Sequence, residues 1–310
     1  MNKPTLLPYQ TRAVEELAHR EAALLVSPAG SGKTAMCGSL LARHKANHGP
    51  GFRAIVLTLA AVKTQFASEV AYWSGIPAAP VYGRSEAMPL AVPILVLNYE
   101  IAAARKAELK RLLGDCPGSV LVADECQRLV NPEARVTKAA LTDPDALFYH
   151  CGVYLGMSAT PAPNWQADLA PHFSAMAQAG ALDTSRQFNN VLGPRQMRER
   201  FATFRKVGRG ARRIVANARP REFRQLLDQV AVKVDPAEVD AQLPDIIRRR
   251  HAIGDGEALK AAHKAEHALS RLGLGDTPAL DVLASCQAPE LHVARRAVGL
   301  IKAAAYVDLL

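Results

Sequence analysis

The 310-residue sequence contains no CxxC pair, and its five cysteines, at positions 37, 116, 126, 151 and 286, are an odd number. Both facts argue against a disulfide framework and fit a reducing, cytoplasmic setting. Long apolar runs are also missing. The longest candidate, Ala87–Tyr99, is broken by Pro89 and Pro93 and falls short of the roughly 18 residues that cross a bilayer, so no membrane partner is expected. No apolar stretch follows the opening Met1-Asn2-Lys3-Pro4-Thr5, as a secretory leader would require. Internal repeats and low-complexity tracts are absent. What is present is a composition of 49% hydrophobic and 22% charged residues, enough apolar material for a sizeable core and incompatible with disorder throughout.

Acidic residues are scarce in one place. From Arg195 to Arg224 there are eleven basic residues, opposed only by Glu199 and Glu222. Eleven less two is nine, the whole formal net charge of +9; the remainder is balanced, 27 against 27. A localised positive stripe suits a polyanion, nucleic acid above all. A solvated arginine face, in a chain with 26 Arg and 12 Lys, is the other explanation.

The first 160 residues alternate between two periodicities. Short, wholly apolar runs at Ala22–Val26, Ala54–Leu59, Ile94–Leu97, Val120–Ala123 and Val153–Met157 read as strands buried on both faces. Segments with helical spacing lie at Thr11–Arg20, Ala35–Lys45, Val62–Tyr72 and Ala102–Leu113. The alternation predicts an α/β fold, a parallel sheet with helices on both faces. In such sheets ligands gather at the carboxyl ends of the strands, which directs attention to the residues just after each run.

After the first run comes Ser27-Pro28-Ala29-Gly30-Ser31-Gly32-Lys33-Thr34, a phosphate-binding loop. Its glycines let backbone N–H groups curl around phosphates, and the helix that follows offers its N-terminus to negative charge. In this pattern Lys33 reaches the β- and γ-phosphates of a nucleotide and the Thr34 hydroxyl ligates Mg²⁺. Ser27 stands where such loops usually have their first glycine. After the fourth run comes Asp124-Glu125-Cys126-Gln127. There Asp124 suits the Mg²⁺ shell and Glu125 suits the task of orienting and deprotonating the attacking water. Ser158-Ala159-Thr160-Pro161 follows the fifth run.

Together these pieces resemble the first, ATP-binding RecA-like lobe of a superfamily-two helicase, of the Swi/Snf-like ATPase family. Leu7-Pro8-Tyr9-Gln10 is similar to the adenine-reading Q motif, in which Gln10 would pair with the base. Gly30, Ser31, Gly32, Lys33 and Thr34 match motif I. The stretch Asp124–Pro132 is similar to that family's extended motif II, which adds Gln127 to the nucleotide-binding set, although many members have His there. Gly156–Asn164 is similar to motif III, with Ser-Ala-Thr where Swi/Snf members more often have Gly-Thr. Asn98-Tyr99-Glu100 resembles motif Ib.

The resemblance implies a RecA-like P-loop lobe over 1–170 and a mainly helical basic protrusion completing it over 171–250. It further implies a helical linker over 251–310, leading to a second RecA-like lobe that these 310 residues do not hold. It also implies ATP, Mg²⁺ and duplex DNA as ligands. Lys63, Gln65 and Asn98 would lie beside the DNA track, and Arg209, Arg212 and Arg213 are the candidate phosphate contacts in the stripe. Gly208-Arg209-Gly210-Ala211-Arg212 superficially matches the arginine-finger motif, but Arg205 replaces its Gln and too few residues separate it from motif III for a domain between. Turnover by this chain alone is therefore expected to be slow. Three readings follow: a DNA translocase driven by ATP hydrolysis, a strand-unwinding helicase or restriction-enzyme motor, and a nucleotide- and DNA-binding module without efficient turnover.

Overall fold

Each short apolar run becomes a strand of one parallel sheet. The computed structural model describes residues 5–85, 87–185, 192–207 and 211–242; Arg209 and the linker expected over 251–310 lie outside the described residues. In chain order the elements are α1 (Pro8–Leu17), β1 (Ala22–Val26), α2 (Lys33–His48), β2 (Phe52–Thr58), α3 (Lys63–Ser74), β3 (Ala78–Pro80), β4 (Ile94–Asn98), α4 (Tyr99–Ala104), α5 (Lys106–Gly114), β5 (Gly118–Asp124) and α6 (Arg135–Thr137). They continue with β6 (Val153–Ser158), α7 (Ala170–Gln178), α8 (Pro194–Phe201), β7 (Ala202–Val207), β8 (Ala211–Asn217), α9 (Pro220–Val230), β9 (Ala231–Lys233) and α10 (Pro236–Gln242). None of the described helices is long and apolar enough to cross a membrane.

The seven-stranded sheet runs β3-β4-β2-β5-β6-β1-β9, with every neighbouring pair parallel. Because side chains alternate across a strand, each apolar run feeds two cores. Leu24, Ile55, Leu57, Leu97 and Leu121 pack on the face of Leu109, Leu113, Phe173 and Leu226. Leu25, Val56, Val96 and Val122 pack on the other, with Tyr9, Leu17, Met36, Leu41, Phe66 and Val70. Residues 120–123 are fully buried, at about 1.5–3 kcal/mol for each large side chain. The expected helix at Ala102–Leu113 is two helices. They part at Arg105, whose buried guanidinium pairs with Glu108 at 2.8 Å.

Strand adjacency sets the site. β5, β6 and β1 are neighbours, with Asp124 opposite Met157 and Val26 opposite Ser158. Their carboxyl ends therefore deliver the phosphate loop, the acidic pair and Ser158 to one edge of the sheet.

The basic stripe begins on α8, passes through an antiparallel β7–β8 ribbon and ends on α9. Val230-Ala231-Val232 carries the chain from α9 into β9, which extends the main sheet beside β1.

Candidate active site

Two glycines shape the loop between β1 and α2. Gly30 and Gly32 have φ of +77° and +78°, the left-handed region that L side chains avoid. Gly32 is closed to a side chain for a second reason: a Cβ there would lie 2.5 Å from Gln10 Nε2. That amide braces the loop. Nε2 of Gln10 donates to the Ser31 carbonyl at 2.9 Å, the Tyr9 hydroxyl donates to the same carbonyl at 3.0 Å, and Gln10 Oε1 accepts from the Leu7 N–H at 2.9 Å. Ser27, in place of the usual glycine, is buried, and its hydroxyl donates to the Ser31 hydroxyl at 2.5 Å. The Lys33 ammonium donates to the Ser27 and Pro28 carbonyls at 3.2 and 3.0 Å.

The acidic pair is held from behind. Asp124 is 9% exposed, and its Oδ2 accepts from the Thr58 hydroxyl at 2.7 Å. Burial raises its pKa, opposed by the Thr58 bond and the Lys33 charge, and adjacent Glu125 pushes the same way as burial. Glu125 has φ 52° and ψ 52°, a left-handed conformation costing a non-glycine residue of order 1–3 kcal/mol. Bonds to the carbonyls of the residues on either side hold that bend. The Tyr99 hydroxyl donates to the Asp124 carbonyl at 2.6 Å, and His172 Nε2 lies 3.3 Å from the Cys126 carbonyl. A carbonyl can only accept, so Nε2 carries the proton. Nδ1 of His172 then accepts from the Tyr154 hydroxyl at 3.1 Å. Burial lowers the His172 pKa to about 4, consistent with this neutral tautomer. The Glu125 carboxylate is turned by Gln127, whose Nε2 donates to Oε2 at 2.7 Å.

Gly30, Gly32, Lys33, Thr34, Asp124 and Glu125 line one cavity of about 390 Å³, walled on the far side by Phe66 and Glu69 of α3. The donor set fits Mg²⁺ with a nucleotide triphosphate: the Thr34 hydroxyl and Asp124 carboxylate are hard oxygen ligands, and Lys33 with the open loop is complementary to phosphate. Ser158 closes the neighbouring strand end, its hydroxyl accepting from the Thr160 N–H at 2.9 Å.

Residues expected beside DNA are scattered. Lys63 turns inward: it is 4% exposed, its ammonium donates to the Val81 carbonyl at 2.5 Å and lies 4.4 Å from the Tyr82 ring centroid. An ammonium so enclosed ties α3 to the segment after β3. Gln65 donates to Glu69 at 2.7 Å beside the cavity. Asn98 Nδ2 donates to Glu100 at 2.8 Å, and its Oδ1 is buried with no hydrogen-bond partner among the described residues. Arg212 and Arg213 are exposed on β8. In the sequence Tyr99 carries only the resemblance of Asn98-Tyr99-Glu100 to motif Ib, and Thr58 and His172 belong to no motif. The strand-end rule points to the first two, at the ends of β4 and β2, whereas His172 in α7 carries no local signal.

The family described as "Type III restriction enzyme, res subunit" matches residues 3–163, just over half of the chain and inclusive of every residue lining the cavity. No curated protein matches the sequence. Among solved structures, the chain is similar to the Sulfolobus solfataricus SWI2/SNF2 ATPase core in complex with dsDNA, at 14% identity and a TM-score of 0.52, covering 96% of this chain and 58% of that one. It thus spans little more than half the length of that core. Two structures of UvsW from bacteriophage T4 align at lower TM-scores, 0.41 with 18% identity (51% of this chain, 30% of that one) and 0.39 with 17% identity (51% and 53%). At these identities the SWI2/SNF2 likeness establishes the RecA-like fold alone.

Proposed function

This chain belongs to the family described as type III restriction enzyme, res subunit, as a RecA-like lobe of the superfamily-two helicases, and on that premise we propose that it is the ATP-binding half of an ATP-dependent DNA motor. The observation that carries the reading is the meeting of Lys33, Thr34, Asp124 and Glu125 around one cavity at the ends of β1 and β5.

In this reading the loop and Lys33 bind the phosphates, and Thr34 and Asp124 hold Mg²⁺, which supplies charge neutralisation of the phosphoryl oxygens. Glu125, aimed by Gln127, takes the proton from the attacking water. Gln10 fixes the loop from below. No arginine lines the cavity among the described residues. The arginine fingers that speed related phosphoryl transfers by about 10³–10⁵ would come from a second RecA-like lobe, in cis or in trans. Duplex DNA is the proposed track, contacted through phosphate, because a motor that moves along DNA cannot depend on one base sequence. A restriction-enzyme motor is a second reading, favoured by the family's own description.

The test is ATP turnover by the 310-residue chain with and without duplex DNA. Slow, Glu125-dependent hydrolysis is expected, retained in binding but abolished in rate by Glu125→Gln, since an amide cannot accept the water's proton. Undiminished turnover by Glu125→Gln would remove Glu125 from the chemistry.

A further inference from the structure

The β7–β8 ribbon places like charges across from each other. Arg205 stands opposite Arg213, and Lys206 opposite Arg212. Opposite charges in such positions stabilise a two-stranded ribbon, and like charges directly across destabilise it. The nearby carboxylates do not relieve the first pair. Glu199 is taken by Arg212 at 2.5 Å, and Glu222 by Arg200 and Arg219 at 2.7 and 3.0 Å. Among the described residues Arg205, Lys206 and Arg213 have no acidic partner.

The two faces of the ribbon differ. Phe204 and Ile214, opposite each other, point to the protein, with Ile214 7% exposed. Arg212 shares that face and lies 5.1 Å from the Phe204 ring centroid. With its bond to Glu199, this gives Arg212 a structural task. On the other face Arg205 and Arg213 are exposed together beside Val207, which is 51% exposed, and Val215, 45% exposed, is the residue the ribbon's bulge leaves unpaired. The base of the ribbon is firm. Phe201, fully buried, sits 5.6 Å from the Phe223 ring. The Ala218 N–H donates to the Phe201 carbonyl at 3.0 Å, and Asn217 Oδ1 accepts from the Gln166 N–H at 2.9 Å.

We propose that Arg205 and Arg213 form a phosphate clamp, a side-by-side cation pair on a rigid ribbon that grips the backbone of duplex DNA. The inference rests on the DNA-motor reading above and deepens it by naming the contact. Residues directly opposite on a ribbon have Cβ atoms about 4.5–5.5 Å apart, and each guanidinium presents a planar fork that fits phosphate. The two guanidinium groups end long side chains that start side by side, so each can take a separate phosphate of one DNA strand. Val207 on the same face offers methyl groups to the sugar between them. A face serving only solubility gains nothing from two unrelieved cations held across from each other, whereas a polyanion turns that repulsion into attraction.

Fluorescence anisotropy with a labelled blunt duplex about three helical turns long, across a salt series, tests the clamp. Arg205→Ala/Arg213→Ala should flatten the slope of log affinity against log salt by about 1.8, or 0.9 for each lost phosphate contact. Its melting temperature should stay level or rise as the repulsion is removed. The Lys/Lys double variant should keep most of the slope. Arg212→Ala should lower the melting temperature and change the slope by less than half a contact. Wild-type binding with an unchanged slope in the Ala/Ala variant overturns the clamp and leaves the motor reading intact. Absence of duplex binding by the wild type overturns the motor reading itself. Loss of binding confined to poly-glutamate, with duplex binding intact, overturns the clamp in favour of an acidic protein partner.

Discussion

The Thr58 hydroxyl, at the end of β2, donates to the Asp124 carboxylate at the end of β5 across 2.7 Å. The two strands are sheet neighbours, so the bond fixes which way the carboxylate faces before any ligand arrives. Groups that orient a metal ligand in this manner typically contribute 10–100-fold to metal affinity or activity. Thr58→Val should therefore weaken nucleotide binding in the presence of Mg²⁺ by about tenfold or more, and leave the weaker Mg²⁺-free binding nearly unchanged. Thr58→Ser should restore it. Calorimetry in Mg²⁺ and in EDTA separates the two, and an equal loss in both would assign Thr58 to general packing.

Gln10 engages both ends of its amide with the protein, through Leu7 N–H and the Ser31 carbonyl. The resemblance to a Q motif makes it an adenine reader; the geometry makes it a brace of the phosphate loop. Gln10→Ala should accordingly reduce the affinity for Mg·ATP and Mg·GTP in parallel. A loss limited to ATP would return Gln10 to base recognition.

His172 predicts an acid-sensitive lobe. Its pKa falls from 6.5 to about 4 because burial disfavours the charged ring. Between those values the unfolded chain binds a proton that the folded chain does not. Stability is therefore fully present above about pH 6.5 and declines as pH falls toward 4. The shift from 6.5 to about 4 corresponds to about 3–3.5 kcal/mol at most, at 1.36 kcal/mol per pKa unit. His172→Gln should have a lower melting temperature at neutral pH, because the Cys126 carbonyl and Tyr154 hydroxyl lose an imidazole placed to bond both. It should also show a shallower decline between pH 6.5 and 4. Thermal melts across that range decide it, and parallel curves for the two proteins would contradict the assignment.

Much of this arrangement is legible without coordinates because its signals are local. Ala22–Val26 is a strand at the bounds its apolar run implies, and the loop from Ser27 to Thr34 needs only its own glycines. What escaped was set by distant contacts. β3 and β9 are three residues each, too short for periodicity, and exist because a neighbouring strand offers its edge. The β7–β8 ribbon alternates Phe204 and Ile214 with cations, so charge hides its period of two. Lys63 reads as a surface cation at a helix start, yet its aliphatic stem lets the residue sink while the ammonium finds the Val81 carbonyl. His172 is a buried polar side chain, like Ser174, in an otherwise apolar stretch of α7, and only the fold brings it to the carbonyl of Cys126.

Titration calorimetry of the 310-residue chain with Mg·ATP tests whether Lys33, Thr34 and Asp124 form a Mg²⁺-nucleotide site. Wild type should bind one nucleotide per chain. Lys33→Ala should lose binding by at least about a hundredfold, as expected when a charged hydrogen-bonding partner worth about 3 kcal/mol is removed, while its circular dichroism spectrum stays that of the wild type. Equal affinity in the two folded proteins, or no Mg·ATP binding by the wild type, would contradict the account.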